Sequence, residues 1–191
     1  MLAIASMFET TLPDGAQIVV RPIRPEDKPL LVAGMERLSE RSRRLRFLSG
    51  VDHLSRQQLA YLTEIDGRDH QAWGVLSDDE PVAVGRFIRG AGDDAEVALT
   101  VVDEWQRRGI GKLLLEVLAV GAEKVGIRRF MFVALPENTG IRALLARFGV
   151  TGEIEDGLLT AYLDVSSVAE SLPHNSNRFS EGRVGRAGVV T

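Results

Sequence analysis

The chain has 191 residues, 45% of them hydrophobic and 26% charged, which suits one globular domain with a sizeable core. It contains no cysteine, and its three histidines show no ligand spacing, so disulfides, cysteine nucleophiles and a metal site are not expected. The net charge is −4 at pH 7, no stretch is long enough to span a membrane, and the N-terminus lacks the basic start of a signal peptide. A cytoplasmic protein without a membrane partner is predicted.

Alternating strands and helices are predicted in the first half of the chain. Residues 1–16 are expected to be a flexible N-terminal segment ahead of the folded domain. Apolar periodicity and turn residues then indicate a strand over 18–21, a helix that begins at Pro25, a helix through Leu59 and Leu62, and hairpin strands at about 70–76 and 81–88. An acidic turn joins the two hairpin strands.

Charge is distributed unevenly along this half. Residues 21–56 carry nine Lys or Arg against five Asp or Glu, a net +4, whereas residues 57–105 carry three against eleven, a net −8. A negative groove would attract a cationic amine and repel nucleic acid, so no nucleic-acid partner is expected, although solvated loop acids are the alternative. The four arginines between residues 41 and 46 favour a solvated helix face over a binding patch.

The most informative stretch runs from Leu99 to Lys112, where a β-branched strand breaks into a glycine-bearing basic turn and leads into a helix. Glycines allow close backbone approach, and the amides and dipole at a helix start attract an anion, so a phosphorylated cofactor is expected here. The Walker pattern fails because Gln106 and Leu113 occupy its first glycine and hydroxyl positions. The dinucleotide pattern fails because Leu114 replaces its third glycine.

After the turn, apolar residues keep a helical period as far as Gly126, which is a suitable C-terminal stop. A continuous apolar strand over 128–135 follows, of the kind buried on both faces of a sheet. A second amphipathic helix is then predicted up to Gly149. From Val165 onward the sequence is rich in Ser, Gly and Asn without a period, so residues 165–191 are expected to form a polar tail.

The turn Gln106-Arg107-Arg108-Gly109-Ile110-Gly111 resembles the Gln/Arg-x-x-Gly-x-Gly/Ala signature of the GCN5-related N-acetyltransferases, the GNAT superfamily. The order of strand, loop, helix, strand and helix is similar too, over about residues 17–164. Within the superfamily, the chain looks like the acetyltransferase domains of bacterial protein lysine acetyltransferases. The resemblance implies a mixed α/β domain (α+β) with a central, twisted, mostly antiparallel sheet and flanking helices. Its two parallel strands, one ending near Val102 and the other starting near Phe130, would splay apart.

The resemblance also implies a binding site for acetyl-CoA, the acetyl donor. The pyrophosphate would lie on the loop, and the pantetheine arm would pair with the strand end. Asn138 would contact the pantetheine or phosphate portion, and its alternative interpretation is a helix N-cap. The implied acetyl-CoA-binding residues are Val101, Val102, Gln106, Arg107, Arg108, Gly109, Ile110, Gly111, Lys112 and Asn138.

A proton acceptor is needed for the chemistry, because a free lysine amine has a pKa of about 10.4 and is protonated at neutral pH. Glu96 is the candidate general base, since the strand over 95–102 alternates and places it among small and apolar neighbours, where desolvation favours proton uptake. Related protein acetyltransferases place their glutamate base at this position. The tyrosine that many relatives use to reprotonate the thiolate would stand at Leu145, which leaves the general acid undefined.

Three functions remain open from the sequence. The first is transfer of acetyl from acetyl-CoA to an amine, with a protein lysine as the favoured acceptor. The second is N-acetylation of a small-molecule amine, and the third is a catalytically silent acyl-CoA-binding module, which the missing tyrosine suggests. The chain is expected to act as a monomer or a homodimer.

Overall fold

The computed structural model describes residues 7–48 and 51–170. The strands are β1 (Phe8–Thr11), β2 (Gln17–Pro22), β3 (His70–Ser77), β4 (Glu80–Arg89), β5 (Asp94–Val101), β6 (Arg129–Ala134), β7 (Glu153–Glu155) and β8 (Leu158–Asp164). The α-helices are α1 (Lys28–Glu36), α2 (Glu40–Phe47), α3 (Arg56–Thr63), α4 (Ile110–Lys124), α5 (Thr139–Ala146) and α6 (Val165–Glu170). Short 3₁₀ turns, Pro25–Asp27 and Asp103–Trp105, precede α1 and follow β5.

The strands form one sheet in the order β1-β2-β3-β4-β5-β6-β8-β7. Every neighbouring pair is antiparallel except β5 and β6, which run parallel. The predicted mixed α/β class and mostly antiparallel sheet are confirmed. The predicted hairpin is confirmed as well, because β3 and β4 are joined through Asp78 and Asp79, whose positive φ angles of 49° and 63° suit a tight two-residue hairpin turn.

The two parallel strands separate after a short contact. Their register consists of Asp94 with Arg129, Ala95 with Phe130 and Glu96 with Met131. Beyond that point β5 continues along β4 as far as Val101, and β6 continues along β8 as far as Ala134. The sheet therefore opens into a wedge between residues 97–101 and the second half of β6.

Helices cover both faces of the sheet. On one face α4 packs closely, and Gly85 of β4 makes this possible because a Cβ there would lie 2.9 Å from Leu99 and 3.2 Å from Leu114. The next residue, Arg86, points to the opposite face, where its Nη1 donates to the Leu62 carbonyl of α3 at 3.1 Å. Helices α1 to α3 form the layer on that face. No helix within the described part of the chain has the length and apolarity needed to cross a bilayer.

The folded domain extends further at both ends than the sequence indicated. Residues 8–11, predicted within the flexible segment 1–16, pair with β2 and bury Phe8 in the core. Residues 165–170, predicted within the polar tail, form α6 and bury Val165 and Val168. In both segments a few apolar side chains reach the core, and their burial outweighs the polar composition around them. Residues 1–6 and 171–191 lie outside the described residues.

Strand β6 is buried on one face rather than on both. Phe130, Phe132 and Ala134 are buried, whereas Met131 and Val133 are half-buried. The prediction of a strand covered on both faces is wrong, because α1 and α2 pack on β4 and β5 and leave the second face of β6 more open.

Candidate functional site

A cleft of about 410 Å³ lies where β5 separates from β6. Its walls come from α2, the end of β5 with the following loop, the start of α4 and the start of α5. The predicted binding residues that line it are Val101, Gln106, Arg107, Gly109, Ile110, Gly111, Lys112 and Asn138. The fold thus gathers residues from three separate segments at the open end of the wedge.

The start of α4 presents free backbone amides to this cleft. The loop turns sharply through Arg107 and Gly109, whose φ angles are 62° and 93°, and the first bond of the helix runs from the Leu113 amide to the Gly109 carbonyl at 3.1 Å. The amides of residues 110–112 therefore precede the helical hydrogen-bond pattern. Gly111 has no protein atom within 4 Å of a built Cβ, so its missing side chain leaves room on the cleft side. Such a site suits a phosphate.

Basic side chains dominate the charge of the cleft. Those that line it are Arg41, Arg46, Arg107, Lys112 and Arg147, and none of the described lining residues is acidic. Lys112 forms an ion pair with Glu116 one turn further along α4. The remaining positive charges favour an anionic ligand.

The acids of the block 57–105 are largely engaged in other contacts. Asp69 pairs with Arg89 at 2.6 Å, and Asp94 pairs with Arg129 at 2.8 Å. The walls of this cleft are therefore basic, and the negative groove, which is expected around the amine acceptor, stays a prediction.

Arg108 does not face the cleft. Its guanidinium lies over the Trp105 ring, 4.0 Å from the ring centroid, and forms an ion pair with Asp14 in the turn between β1 and β2. The hydrogen bond from Arg108 holds the pKa of Asp14 below its ordinary value. Arg108 thus ties the loop to the N-terminal hairpin, whereas the sequence placed it on the ligand.

Along β5, the backbone N–H and C=O groups of every second residue point toward the wedge. The Val102 amide donates to the Val82 carbonyl of β4 at 2.9 Å, and in an antiparallel pair such bonds recur at every second residue. The N–H and C=O groups of Leu99 and Val101 therefore face the wedge. The structure does not bring Val102 to the cleft, since its amide is bonded and its side chain is buried.

Asp103 fixes α2 as one wall of the cleft. Its carboxylate accepts from the Ser39 amide at 2.9 Å and from the Ser39 and Ser42 hydroxyls at 2.8 Å each. Gln106 adds a further link, because its Nε2 donates to Ser42 Oγ at 3.2 Å and to the Val101 carbonyl at 3.1 Å. Burial raises the pKa of Asp103, but these hydrogen bonds outweigh burial and hold it below its ordinary value. Hydrogen bonds to the ionised Asp103 carboxylate therefore hold α2 in place as a wall of the cleft.

Asn138 and Leu145 occupy different environments in α5. Asn138 is the N-cap, since its Oδ1 accepts from the Ile141 amide at 3.1 Å, and it also lines the cleft. Leu145, where many relatives are expected to carry a tyrosine, is 1% exposed in the core. No proton donor therefore stands at that position.

Glu96 lies at the vertex of the wedge, in the last pair that joins β5 to β6. Its side chain is exposed, so the desolvation expected from its neighbours is not present. It shares a face of β5 with Thr100, which lines the cleft about 13 Å further along the strand. Arg46 also lines the cleft: burial lowers the pKa of Arg46, and the nearby charge of Glu96 opposes that effect. Glu96 is thus connected to the cleft through a charged neighbour.

The Acetyltransferase (GNAT) family model matches residues 35–150. The chain belongs to the GNAT acetyltransferase family. Acetyltransferase Pat of Mycolicibacterium smegmatis is 35% identical over 161 residues, which cover 81% of this chain and 47% of that protein. The chain thus spans about half the length of this GNAT relative. An acetyltransferase of Pseudomonas aeruginosa is 28% identical over 148 residues, which cover 75% of this chain and 80% of that protein.

Solved GNAT structures show the same architecture. The GNAT domain of S. lividans PAT has a TM-score of 0.78 and 33% identity, and the match covers 83% of this chain and 96% of that one. The cAMP-binding acyltransferase from Mycobacterium smegmatis has a TM-score of 0.61 and 30% identity, with 85% of this chain and 48% of that one covered. The GNAT family and fold predicted from the loop are confirmed, because the family model and two relatives named as acetyltransferases match the chain.

The GNAT cleft also contains residues that the sequence analysis did not select. Helix α2 contributes Arg41, Ser42, Leu45 and Arg46, whose spacing places them on one helix face. The arginine run was assigned to a solvated face, but that spacing was a usable signal for a lining face. Arg147, from the end of α5, has no comparable signal in the sequence.

Proposed function

We propose that this chain transfers the acetyl group of acetyl-CoA to the side-chain amine of a protein lysine, with Glu96 as the general base. The observation that carries the proposal is the wedge between β5 and β6, with the free amides of α4 at its mouth and basic residues along its walls.

The donor would bind in an extended form along this wedge. The amides of residues 110–112 would hold the pyrophosphate, and Arg107 would add positive charge. The pantetheine arm carries amide groups, which would pair with the backbone of Leu99 and Val101. This assigns Leu99 to the site in place of Val102, and it assigns no donor contact to Arg108.

The chemistry would proceed by direct attack of the amine on the thioester. Deprotonating a lysine amine at pH 7 costs roughly 4 to 5 kcal/mol, so a base is required, and Glu96 would take the proton directly or through water. The amine nitrogen then bonds to the carbonyl carbon as the carbon–sulfur bond breaks. Coenzyme A leaves as a thiolate, and because a thiol has a pKa of about 8.5, solvent can return the proton without a tyrosine at Leu145.

A protein acceptor is favoured by the resemblance to bacterial protein lysine acetyltransferases. Glu96 is exposed at the vertex of the wedge, so a long lysine side chain can reach it without opening the fold. Because the chain spans about half of the Mycolicibacterium smegmatis relative, the acceptor, the assembly state and a cytoplasmic location belong to the proposal.

Release of coenzyme A from acetyl-CoA tests the proposal, with lysine peptides, polyamines and aminoglycosides as acceptors. Mass spectrometry of proteins incubated with the chain and acetyl-CoA then locates the modified lysines. Lysine acetylation well above the non-enzymatic background, lost in Glu96→Gln and kept in the exposed control Glu155→Gln, is the expected result. Rapid acetylation of a small amine alone would show that the acceptor is a small molecule and not a protein lysine. Binding of acetyl-CoA without any transfer would show that the chain is a binding module and not an enzyme.

A further inference from the structure

A second cavity, of about 80 Å³, lies between the sheet and helices α1 to α3. Its walls are mostly aliphatic and aromatic, with Leu30, Leu38 and Phe47 among them. Arg46 and Thr100 line both this cavity and the donor cleft, so the two spaces adjoin. By probe-occupied volume, about 10–15 Å³ holds one water, so the cavity has room for several methylene groups.

Arg86 stands in the wall of this cavity as a buried cation. It is 3% exposed, and its Nη1 donates to the Leu62 carbonyl at 3.1 Å and lies 3.0 Å from His70 Nε2. Burial lowers the pKa of His70 to about 4, so His70 is neutral at pH 7 and supplies no counter-charge. Burial and the nearby Arg46 lower the pKa of Arg86 to about 9, which still leaves it charged at neutral pH.

Arg21, which also lines this cavity, has the carboxylate partner that Arg86 lacks. Arg21 makes a two-pronged ion pair with Asp27, with both nitrogen–oxygen distances at 2.7 Å. Among the residues that the structure describes, no carboxylate lies within ion-pair distance of Arg86. A buried cation without a counter-ion is unfavourable, so the site is complementary to an anion that enters from the cavity.

Arg86 and Thr100 lie close together on one face of the sheet, and both line this cavity. Arg86 pairs with Ala98 across β4 and β5, and Thr100 is two residues further along the same face. Diagonal neighbours of this kind are about 7–8 Å apart in an antiparallel pair. The two side chains therefore enter the cavity from nearby backbone positions, and an acyl chain that starts near Thr100 can lie along the wall that they share.

We infer that this cavity receives the acyl chain of the thioester donor and that it fits a short dicarboxylic acyl group, such as succinyl, whose distal carboxylate binds Arg86. The inference rests on the proposed function, since the donor must already lie in the wedge. An acetyl group would leave the cavity empty, and a neutral chain would leave Arg86 without a counter-ion. Transfer would follow the same course, with the carbon–nitrogen bond formed, the thiol released and the distal carboxylate unchanged.

Calorimetric titration with coenzyme A, acetyl-CoA, butyryl-CoA and succinyl-CoA tests this inference without requiring an acceptor. Butyryl and succinyl both have four carbons and differ by a methyl group in place of the carboxylate. Wild-type chain should bind succinyl-CoA about tenfold or more tightly than butyryl-CoA, as expected for a charge-assisted pair. That ratio should fall to about one in Arg86→Met and persist in Arg128→Met, a control at an arginine whose side chain is 82% exposed.

A second variant keeps the test decisive if Arg86→Met does not fold. Gly34 lines the cavity, and a Cβ built there lies at an ordinary 3.7 Å from Pro81, so Gly34→Leu fills the space without a backbone clash. It should weaken binding of succinyl-CoA and butyryl-CoA more than that of acetyl-CoA. Equal affinity for succinyl-CoA and butyryl-CoA in wild type, or a ratio unchanged in folded Arg86→Met, would overturn the inference. Absent binding of coenzyme A itself would instead refute the donor site in the wedge.

Discussion

Replacing Gly111 by valine tests the phosphate site at the start of α4, and the same change at Gly109 supplies a matched comparison. Gly109 has a φ of 93°, which an L-residue adopts at a cost of about 1–2 kcal/mol. Gly109→Val should therefore lower Tm by about 2–8 °C in a domain of this size. Gly111 is inside α4, and a Cβ there meets no protein atom within 4 Å. Gly111→Val should leave stability within about 0.5 kcal/mol of wild type.

For acetyl-CoA binding the order is reversed. Gly111→Val should weaken binding more than Gly109→Val does, although it disturbs stability less. The valine methyls at Gly111 would stand over the amides of residues 110–112, which are the groups assigned to the pyrophosphate. Losing two charge-assisted hydrogen bonds of about 1.5 kcal/mol each weakens acetyl-CoA about a hundredfold. Isothermal titration measures the affinity, and urea unfolding measures the stability of each variant. Binding within about threefold of wild type in folded Gly111→Val would refute the assignment of this helix start.

Three further outcomes are expected. Glu96→Gln should lower turnover about a hundredfold or more at pH 7, with acetyl-CoA affinity nearly intact. The loss should shrink toward pH 9.5, where more of the amine is neutral. Turnover of the variant equal to that of wild type at pH 7 would exclude Glu96 as the base. Burial raises the pKa of Asp27, but hydrogen bonds from Arg21 and the Arg24 amide outweigh burial and hold the pKa below its ordinary value. The Arg21–Asp27 pair therefore stabilises the fold above about pH 4, and that stability is lost as pH falls through the lowered pKa. Asp27→Asn should accordingly cost on the order of 2–3 kcal/mol in urea unfolding at pH 7 and much less at pH 2, and an equal cost at both pH values would contradict this. Raising salt from about 0.05 to 0.5 M should weaken acetyl-CoA binding by titration, since the cleft cations are screened over a Debye length that shrinks below about 10 Å.

The sequence predicted the parts of the site whose structure depends on residues close together along the chain. The turn from Gln106 to Gly111 and the helix after it form a local unit, and the signals for both lie within a dozen positions. The hairpin turn at Asp78 and Asp79 is of the same kind, because its backbone geometry depends on the residues in the turn. These features were therefore accessible before the fold was known.

The sequence could not predict contacts that join distant segments. Arg108 was assigned to the ligand because charge near a phosphate loop suggests it, but its partner Asp14 lies in a turn far back along the chain. The role of α2 as a wall depends on Asp103, which accepts from Ser39 across the interface. Arg86 gave no signal at all, because its lack of a counter-ion is visible only when all surrounding side chains are placed.

The short contact between β5 and β6 gives this sheet an open edge in its interior. Strand edges with unbonded amides and carbonyls normally lie at the rim of a sheet, where they can recruit further strands. Here the Leu99 backbone and the Val101 amide present such an edge inside the fold, and an extended ligand with amide groups would act as a substitute strand across the gap. Hydrogen exchange at the amides that flank the wedge should therefore slow when the donor binds, and the ligand would complete the sheet as well as supply the reacting group.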